Sequence, residues 1–287
     1  MELTIVIVSF KSGDILNRCL DSINSKYPVI VVENSQDEEQ KKNIEKKHNN
    51  VECYIPKENL GYGAANNLGI KNVKTKYLLI LNPDTVLYED TLEQLLTHAE
   101  KIKDFAILGP KVIEGDNYEE KEIRQDRLKK TEQSIEKSIS YVKGFAIFIN
   151  KEQFKEIGFF DENFFLYFEE IDLCKRVIEM NKKIFYIPEA KVKHLGGQSH
   201  TNDINVPMEL SRNWHWMWSS FYYYKKHKGS FYALVKMSSK LFSSIIKVIF
   251  YSLIFQKGKK EIYKHRISGI VNSILGNKAW YRPNLND

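Results

Sequence analysis

The sequence predicts an α/β protein with an open, doubly wound sheet, and three observations carry that prediction. Residues 3–10 (LTIVIVSF) form a continuous β-branched run, apolar runs recur at 29–32 and 76–81, and the segments between them have helical spacing. An apolar run without polar alternation is the pattern of a parallel strand buried on both faces. Strands that alternate with helices at short spacing build a sheet with helices packed on it.

In chain order, Ile15, Leu16, Cys19, Leu20 and Ile23 predict a helix over 13–25. A strand at Val29–Val32, a lysine-rich helix around 36–48 and a short strand at Val51–Ile55 follow. Residues 59–69, rich in glycine and asparagine, lead into another helix. The strand Lys76–Leu81 (KYLLIL) stops abruptly at Asn82-Pro83-Asp84. Ligands of such sheets sit beyond the carboxyl ends of the strands, so residues just after these strands are the ones to examine. Residues 114–138 are almost wholly polar and read as a solvated loop or mobile flap. Apolar structure resumes at Tyr141–Ile149, a strand is expected at 183–188 (KIFYIP), and a polar linker at 202–207 marks a boundary near residue 205.

Of the 287 residues, 43% are hydrophobic and 28% charged, which fits one large α/β domain plus an appendage. The formal charge of +6 suits an acidic lipid surface or a phosphorylated ligand and is too mild to indicate nucleic acid. Three cysteines, Cys19, Cys53 and Cys174, lie far apart with no CxxC pair, which favours packing roles in a reducing compartment. The start, Met1-Glu2-Leu3-Thr4, lacks a basic segment, and no uncharged apolar run reaches the ~18–20 residues that span a bilayer. The expectation is a protein kept inside the cell.

Beyond residue 205 the composition changes. Trp214, Trp216 and Trp218 lead through Tyr222-Tyr223-Tyr224 to Lys225, Lys226, His227 and Lys228. Residues 231–255 then read as an apolar helix whose Lys236, Lys240 and Lys247 fall within roughly 40° of one another at 100° per residue. Such a stripe on a broad apolar cylinder fits a helix lying in an anionic membrane surface, with the aromatic rings at headgroup depth. Packing on the α/β domain, or a homodimer formed through the same helices, would also hide the apolar face.

Three constellations carry candidate chemistry. Asp84 in Asn82-Pro83-Asp84 directly follows a buried strand, where a hard oxygen ligand suits Mg²⁺ or Mn²⁺; Pro-Asp is equally an ordinary turn. In the stretch 158–176, Glu169, Glu170 and Asp172 stand behind a run of aromatics. An apolar wall raises a carboxylate's pKa and suits a general base, whereas the first turn of a helix would explain the same acids through its dipole. His194, in Lys193-His194-Leu-Gly-Gly-Gln-Ser, sits beside a Gly-Gly turn, as a ligand or as a structural imidazole.

In this order the pieces resemble glycosyltransferase family 2, most closely its bacterial rhamnosyltransferase-like branch. The matching text is IVIVSF, VVENS, NLGYGAANNLGI (59–70) and LLILNPDTVL (78–87), then VKGFAIFINKEQFKEIGFFDENFFLYFEEIDLCKR (142–176) and IPEAKVKHLGGQS (187–199). The resemblance covers residues 3–200 and implies the GT-A nucleotide-diphospho-sugar transferase fold, a Rossmann-like mixed sheet flanked by helices. It implies a catalytic domain over 1–204, with a donor-binding part at 1–112, the mobile loop at 114–138 and an acceptor and base part at 139–204. A helical, membrane-associating extension over 205–287 follows. The implied enzyme is an inverting, metal-dependent glycosyltransferase using a dTDP- or UDP-linked donor and a glycan or lipid-linked acceptor. L-rhamnose from dTDP-rhamnose is the leading donor and a UDP-hexose the competitor.

Carried over by position, Val8, Ser9 and Phe10 after the first strand and Glu33 after the second would hold the base and ribose. Asn59, Gly61 and Asn67 would line the donor pocket. Asn82 and Asp84 stand at the ends of the family's Asp-x-Asp metal motif, His194 would complete the metal site, and Glu170 would be the general base with Glu169 in reserve. Three departures stand out: Glu33 and Glu170 replace the usual Asp, Lys11 a usual asparagine, and Asn82 an Asp. A dehydrogenase would want GxGxxG after the first strand, and Phe10-Lys11-Ser12-Gly13 does not supply it. Nucleotidyl transfer gives no reason for the Glu-Glu and His-Gly-Gly blocks. A non-catalytic sugar-nucleotide binder within a polysaccharide complex would gain nothing from keeping Asp84, His194 and Glu170 together.

Overall fold

The computed structural model describes residues 2–114, 121–122, 137–195 and 205–283. Most of the polar loop expected at 114–138, the Gly196-Gly197 turn and the start of the linker at 202–207 therefore lie outside the described residues. The chain opens with Leu3–Ser9 (β1), Asp14–Asp21 (α1), Val29–Glu33 (β2), Glu38–Lys47 (α2), Val51–Tyr54 (β3) and Tyr62–Lys71 (α3). Tyr77–Leu81 (β4), Thr85–Leu87 (β5), Thr91–Lys101 (α4) and Ile107–Glu114 (β6) come next, then two short strands, Lys121–Glu122 (β7) and Lys137–Ser138 (β8). Ala146–Asn150 (β9), Phe154–Ile157 (α5), Glu169–Glu179 (α6) and Ile184–His194 (β10) precede three helices, Asn205–Lys228 (α7), Ser230–Leu253 (α8) and Lys257–Ile274 (α9).

The residues form two compact units. The first comprises Met1–Leu60, Ala64–Phe160 and Glu170–Thr201; the second takes in Gly61–Gly63 and Asp161–Glu169 besides Asn202–Asp287.

In the first unit the strands lie in the order β3-β2-β1-β4-β9-β6-β10-β5, with β7 beside β6 and β8 beside β10. Strands β3, β2, β1 and β4 are parallel; β9 is antiparallel to both neighbours, so the sheet is mixed. The apolar runs sit where both faces are covered: every residue of β1, β4 and β9 is buried. Leu16, Cys19 and Leu20 of α1 join Ile5, Ile7, Leu79 and Leu81 in one core cluster. The rings of Tyr77, Phe105 and Phe148 pack together at centroid distances of 5.3–6.1 Å. Helix α2 starts because the Asp37 carboxylate accepts the Gln40 N–H (2.8 Å), with Glu38 and Glu39 in its first turn and Lys46 and Lys47 in its last.

Two sequence expectations need correction. Val8 and Ser9, expected in the loop after the first strand, lie inside β1, because they pair with Val32 and Glu33; the chain leaves the sheet only at Phe10 and Lys11. The strand expected to end at Pro188 instead runs on to His194. Its pairing with β6 shifts between Ile187 and Lys191, a bulge that accommodates a proline lacking an N–H.

In the second unit, α7 packs against α9 through Gly269, where an added Cβ would lie 2.3 Å from the Trp214 carbonyl oxygen. Trp214 Nε1 donates to Ser268 Oγ (3.0 Å), Ser273 Oγ to the Trp218 carbonyl (3.0 Å) and Trp218 Nε1 to the Asn277 carbonyl (3.0 Å). Met217 and Phe221 of α7, Ala233 and Met237 of α8 and Ile270 of α9 make the shared core. Among the described residues, no helix is long and apolar enough to cross a membrane.

Candidate active site

The candidate residues fall into three groups. At the carboxyl ends of β1 and β2, Glu33 is fully buried, and its Oε1 accepts the Ser35 N–H (2.9 Å) and the Ser35 hydroxyl. Burial pushes its carboxyl pKa up, while the Ser35 and Ser9 donors pull it back only in part. Asn34 fastens the surroundings: its N–H donates to the Ser9 carbonyl (2.7 Å), its Nδ2 to Asn59 Oδ1 (2.8 Å), and its Oδ1 accepts the Leu60 N–H (2.9 Å). Asn59 is thus held beside Ser9 and Glu33 by a residue that the sequence reading passed over.

The second group stands at the end of β4. The Asn82 N–H donates to the Phe145 carbonyl (2.9 Å), the Thr85 N–H closes the turn onto the Asn82 carbonyl (3.1 Å), and the Leu195 N–H reaches the Asp84 carbonyl (2.9 Å). Thr85 of β5 pairs with His194 of β10, so the bulged strand delivers the imidazole to the turn. Asp84 Oδ2 lies 3.4 Å from His194 Nε2, both side chains being buried, and the Phe145 ring stacks on the imidazole at 3.7 Å. Two hard oxygens, Asp84 Oδ1 and Asn82 Oδ1, are buried with no hydrogen-bond partner. Leaving such groups unsatisfied is costly and calls for an explanation, and an oxygen-seeking cation supplies one. Among the described residues no cluster of three His, Cys, Asp or Glu side chains could hold a metal alone.

The third group is the start of α6. Arg176 pins the preceding turn, donating to the Ile157 (2.8 Å), Gly158 (3.0 Å) and Phe159 carbonyls and pairing with buried Asp172 (2.8 Å). Asn67 clamps Phe160 in both directions, donating to its carbonyl (2.9 Å) and accepting its N–H (3.1 Å). Immediately before Glu169, Tyr167 and Phe168 both adopt left-handed backbone, φ 69° and 73°. Two such residues cost about 1–3 kcal/mol each and persist only where the surroundings over-determine them.

Within the second unit those surroundings are visible. Ser219 Oγ donates to the Leu166 carbonyl (2.8 Å), and Lys226 and the Tyr222 hydroxyl reach Asp161 at 2.7 and 3.1 Å. Trp216 meets the rings of Tyr167 and Phe168 at 5.2 and 5.3 Å, and neutral, buried His215, its pKa lowered to about 3 by burial, stacks on Phe165 at 4.5 Å. Gly61 belongs to this arrangement. The Tyr62 N–H donates to the Phe165 carbonyl (2.9 Å), and a Cβ on Gly61 (φ 80°) would lie 2.3 Å from that oxygen. The close approach that needs this glycine is to Phe165. Gly61→Ala is expected to destabilise the chain by about 1–3 kcal/mol in urea unfolding, and an unchanged midpoint would contradict the packing described.

Glu169 is buried at the first position of α6 and Glu170 follows it. Burial raises the Glu170 carboxyl pKa, against the pull of its own backbone N–H and that of Ile171. A carboxylate raised in this way is a stronger base than an ordinary one.

The mixed sheet with this strand order is the GT-A nucleotide-diphospho-sugar transferase fold. The structure is similar to that of the mannosyltransferase PcManGT from Pyrobaculum calidifontis in complex with GDP-Man and Mn2+, with a TM-score of 0.57, 11% identity, and 96% of this chain and 88% of that one covered. The sequence profile of Glycosyl transferase family 2 matches residues 4–174, and the chain belongs to that family of enzymes. It is 25% identical over 269 residues to the low-salt glycan biosynthesis hexosyltransferase Agl10 of Haloferax volcanii, covering 88% of this chain and 80% of the relative. It is 23% identical over 244 residues to an N-acetylglucosaminyl-diphospho-decaprenol L-rhamnosyltransferase of Mycobacterium tuberculosis, covering 70% and 78%.

Proposed function

We propose that the chain transfers L-rhamnose from dTDP-rhamnose to a lipid-linked or other glycan acceptor in cell-surface polysaccharide synthesis, by a single inverting displacement. It would act at the cytoplasmic face of a membrane as a peripheral protein. The observation that carries the reading is the buried Asp84–His194 pair with two unsatisfied oxygens at the end of β4. The rhamnosyltransferase relative supports the sugar and a diphospho-lipid acceptor. A second reading is transfer of another hexose from a UDP-linked donor, and the likeness to the hexosyltransferase Agl10 supports the hexose.

Asp84 and His194 would hold Mg²⁺ or Mn²⁺, with the Asn82 carboxamide oxygen beside them; a bound ion there neutralises charge developing on the departing diphosphate. Glu33, Ser9 and Phe10 would hold the nucleoside, with Val8 supporting them from inside β1, and Asn59, Gly61 and Asn67 would border the donor. Glu170, with Glu169 as the reserve, takes the proton of the acceptor hydroxyl as it attacks the anomeric carbon. Its raised pKa makes it a stronger base for that proton than an ordinary carboxylate would be. The part over 1–204 would be catalytic and that over 205–287 a membrane-associating extension.

A thermal-shift panel of dTDP-, UDP- and GDP-sugars, with and without Mn²⁺, tests the reading. A ligand at 100 times its Kd adds about 2.7 kcal/mol, so the true donor raises Tm clearly and only with the metal. Stabilisation by no nucleotide-sugar would remove the proposal, and stabilisation by UDP-hexoses alone would replace its sugar.

A further inference from the structure

Helix α7 has two faces with different partners. At 100° per residue, Trp214, Met217, Trp218 and Phe221 fall within an arc of about 100°. This side packs on α8, α9 and the turn after α9: Met217 and Phe221 lie in the shared core, and the two indoles donate to Ser268 Oγ and the Asn277 carbonyl. His215, Trp216, Ser219, Tyr222, Tyr223 and Lys226 fall within an arc of about 120° on the other side. Between them they touch Asp161 and every residue from Phe164 to Phe168, all within the second unit.

The segment so gripped ends in the left-handed pair Tyr167 and Phe168, and α6 begins at the next residue, Glu169. Were that pair to relax to right-handed backbone, α6 would start earlier, and the Glu170 N–H would bond to the Leu166 carbonyl four residues back. Two contacts from α7 oppose this. Ser219 Oγ already donates to that carbonyl at 2.8 Å. The Trp216 ring stands against both left-handed side chains, edge-on to Tyr167 at 5.2 Å and tilted to Phe168 at 5.3 Å. With α6 started at Glu169, the N–H groups of its first turn have no partner within the helix, and those of Glu170 and Ile171 are left to the Glu170 carboxyl. Trp216 itself is 40% exposed and lies outside the core shared by the three helices.

We propose that Trp216 and Ser219 are positioning residues for the transfer: they hold Tyr167 and Phe168 in left-handed backbone, fix the first turn of α6 at Glu169, and so place the carboxylate that takes the acceptor's proton. The proposal rests on the reading of Glu170, with Glu169 in reserve, as the base. Strained backbone persists where its surroundings over-determine it, and pre-organisation of a site is one use of it. A reacting group misplaced by about 1 Å loses about 10²-fold in rate. The two residues act through the base, so their effect is bounded by the base's own.

The test has a substrate-free arm and a kinetic one, both on the full chain, with circular dichroism to confirm that the helices persist. By hydrogen exchange, the backbone amides of 166–170 should open about tenfold faster or more in Trp216→Ala, and in Ser219→Ala, while those of α9 keep their rate. Unchanged exchange at 166–170 in both variants would overturn the proposal whatever the substrate. Kinetics use Mn²⁺, dTDP-rhamnose or a UDP-hexose as donor, and an N-acetylglucosaminyl-diphospho-lipid as acceptor. Trp216→Ala should lower kcat by about 10²-fold with KM nearly unmoved, and Trp216→Phe, which keeps a ring there, should recover most of the rate. Added to whichever of Glu170→Gln and Glu169→Gln is slow, Trp216→Ala should cost no further rate, because the group it places is already gone. A full additional loss in that double variant would overturn the proposal, as would a raised acceptor KM with kcat intact, which would make Trp216 a substrate contact. Wild-type turnover in both glutamine variants would remove the base reading and this proposal with it, whereas a slow Glu170→Gln beside a fast Trp216→Ala would overturn the proposal alone.

Discussion

Asp84→Asn is expected to abolish metal-dependent transfer, by roughly 10³-fold or more in kcat/KM, with little change in fold. The substitution keeps the shape of a side chain that is 2% exposed, so packing around β4 survives. What changes is the charge: a hard anionic oxygen becomes a neutral amide, in a site where Asn82 already supplies a neutral one. The neutral pair binds a divalent cation weakly, and the leaving diphosphate then departs with its charge uncompensated. The loss should appear as an absent Mn²⁺ dependence in the thermal shift as well as an absent turnover. Undiminished, metal-dependent turnover would remove Asp84 from the metal site.

Glu170→Gln is the second large effect, expected at about 10²–10⁴-fold in kcat with donor affinity within a few-fold. Glutamine keeps the helix start but cannot take a proton. The pH dependence carries the sign. Burial raises the Glu170 pKa, so the protonated, inactive form persists to higher pH than for an ordinary carboxylate, and the wild-type rate rises as pH climbs through that raised value. The limb should vanish in Glu170→Gln. A variant with the wild-type rate, or one whose acid limb is unmoved, would pass the base role to Glu169 or elsewhere.

Much of the sheet was readable because parallel strands covered on both faces show as unbroken apolar runs; β1, β2 and β4 are of that kind. The length of β10 was not, since Pro188-Glu189-Ala190 looks like a strand terminator and the bulge that absorbs it depends on the pairing with β6. That extension is what brings His194 to Asp84, so half of the candidate metal site rests on tertiary structure. The lysine row of α8 was legible from helical period alone; which side of the helix met α7 and α9 was not, because the buried positions are as modest as Ala233 and Ser244. The left-handed pair Tyr167 and Phe168 left no sequence signal at all. Aromatic residues avoid that backbone, and contacts made elsewhere in the fold, among them those with Trp216, Tyr223, Ser219 and Gly61, hold it. Asn34 did leave one, as the asparagine directly after β2, where short polar side chains tie turns to backbone.

An anomalous difference map from crystals holding Mn²⁺ and dTDP-rhamnose bears most directly on the central claim. The account predicts one manganese peak about 2.1 Å from an Asp84 carboxylate oxygen, with His194 among its ligands and the donor's diphosphate on its far side. A diphosphate bound with no ion at Asp84, or an ion held by other residues, would contradict it.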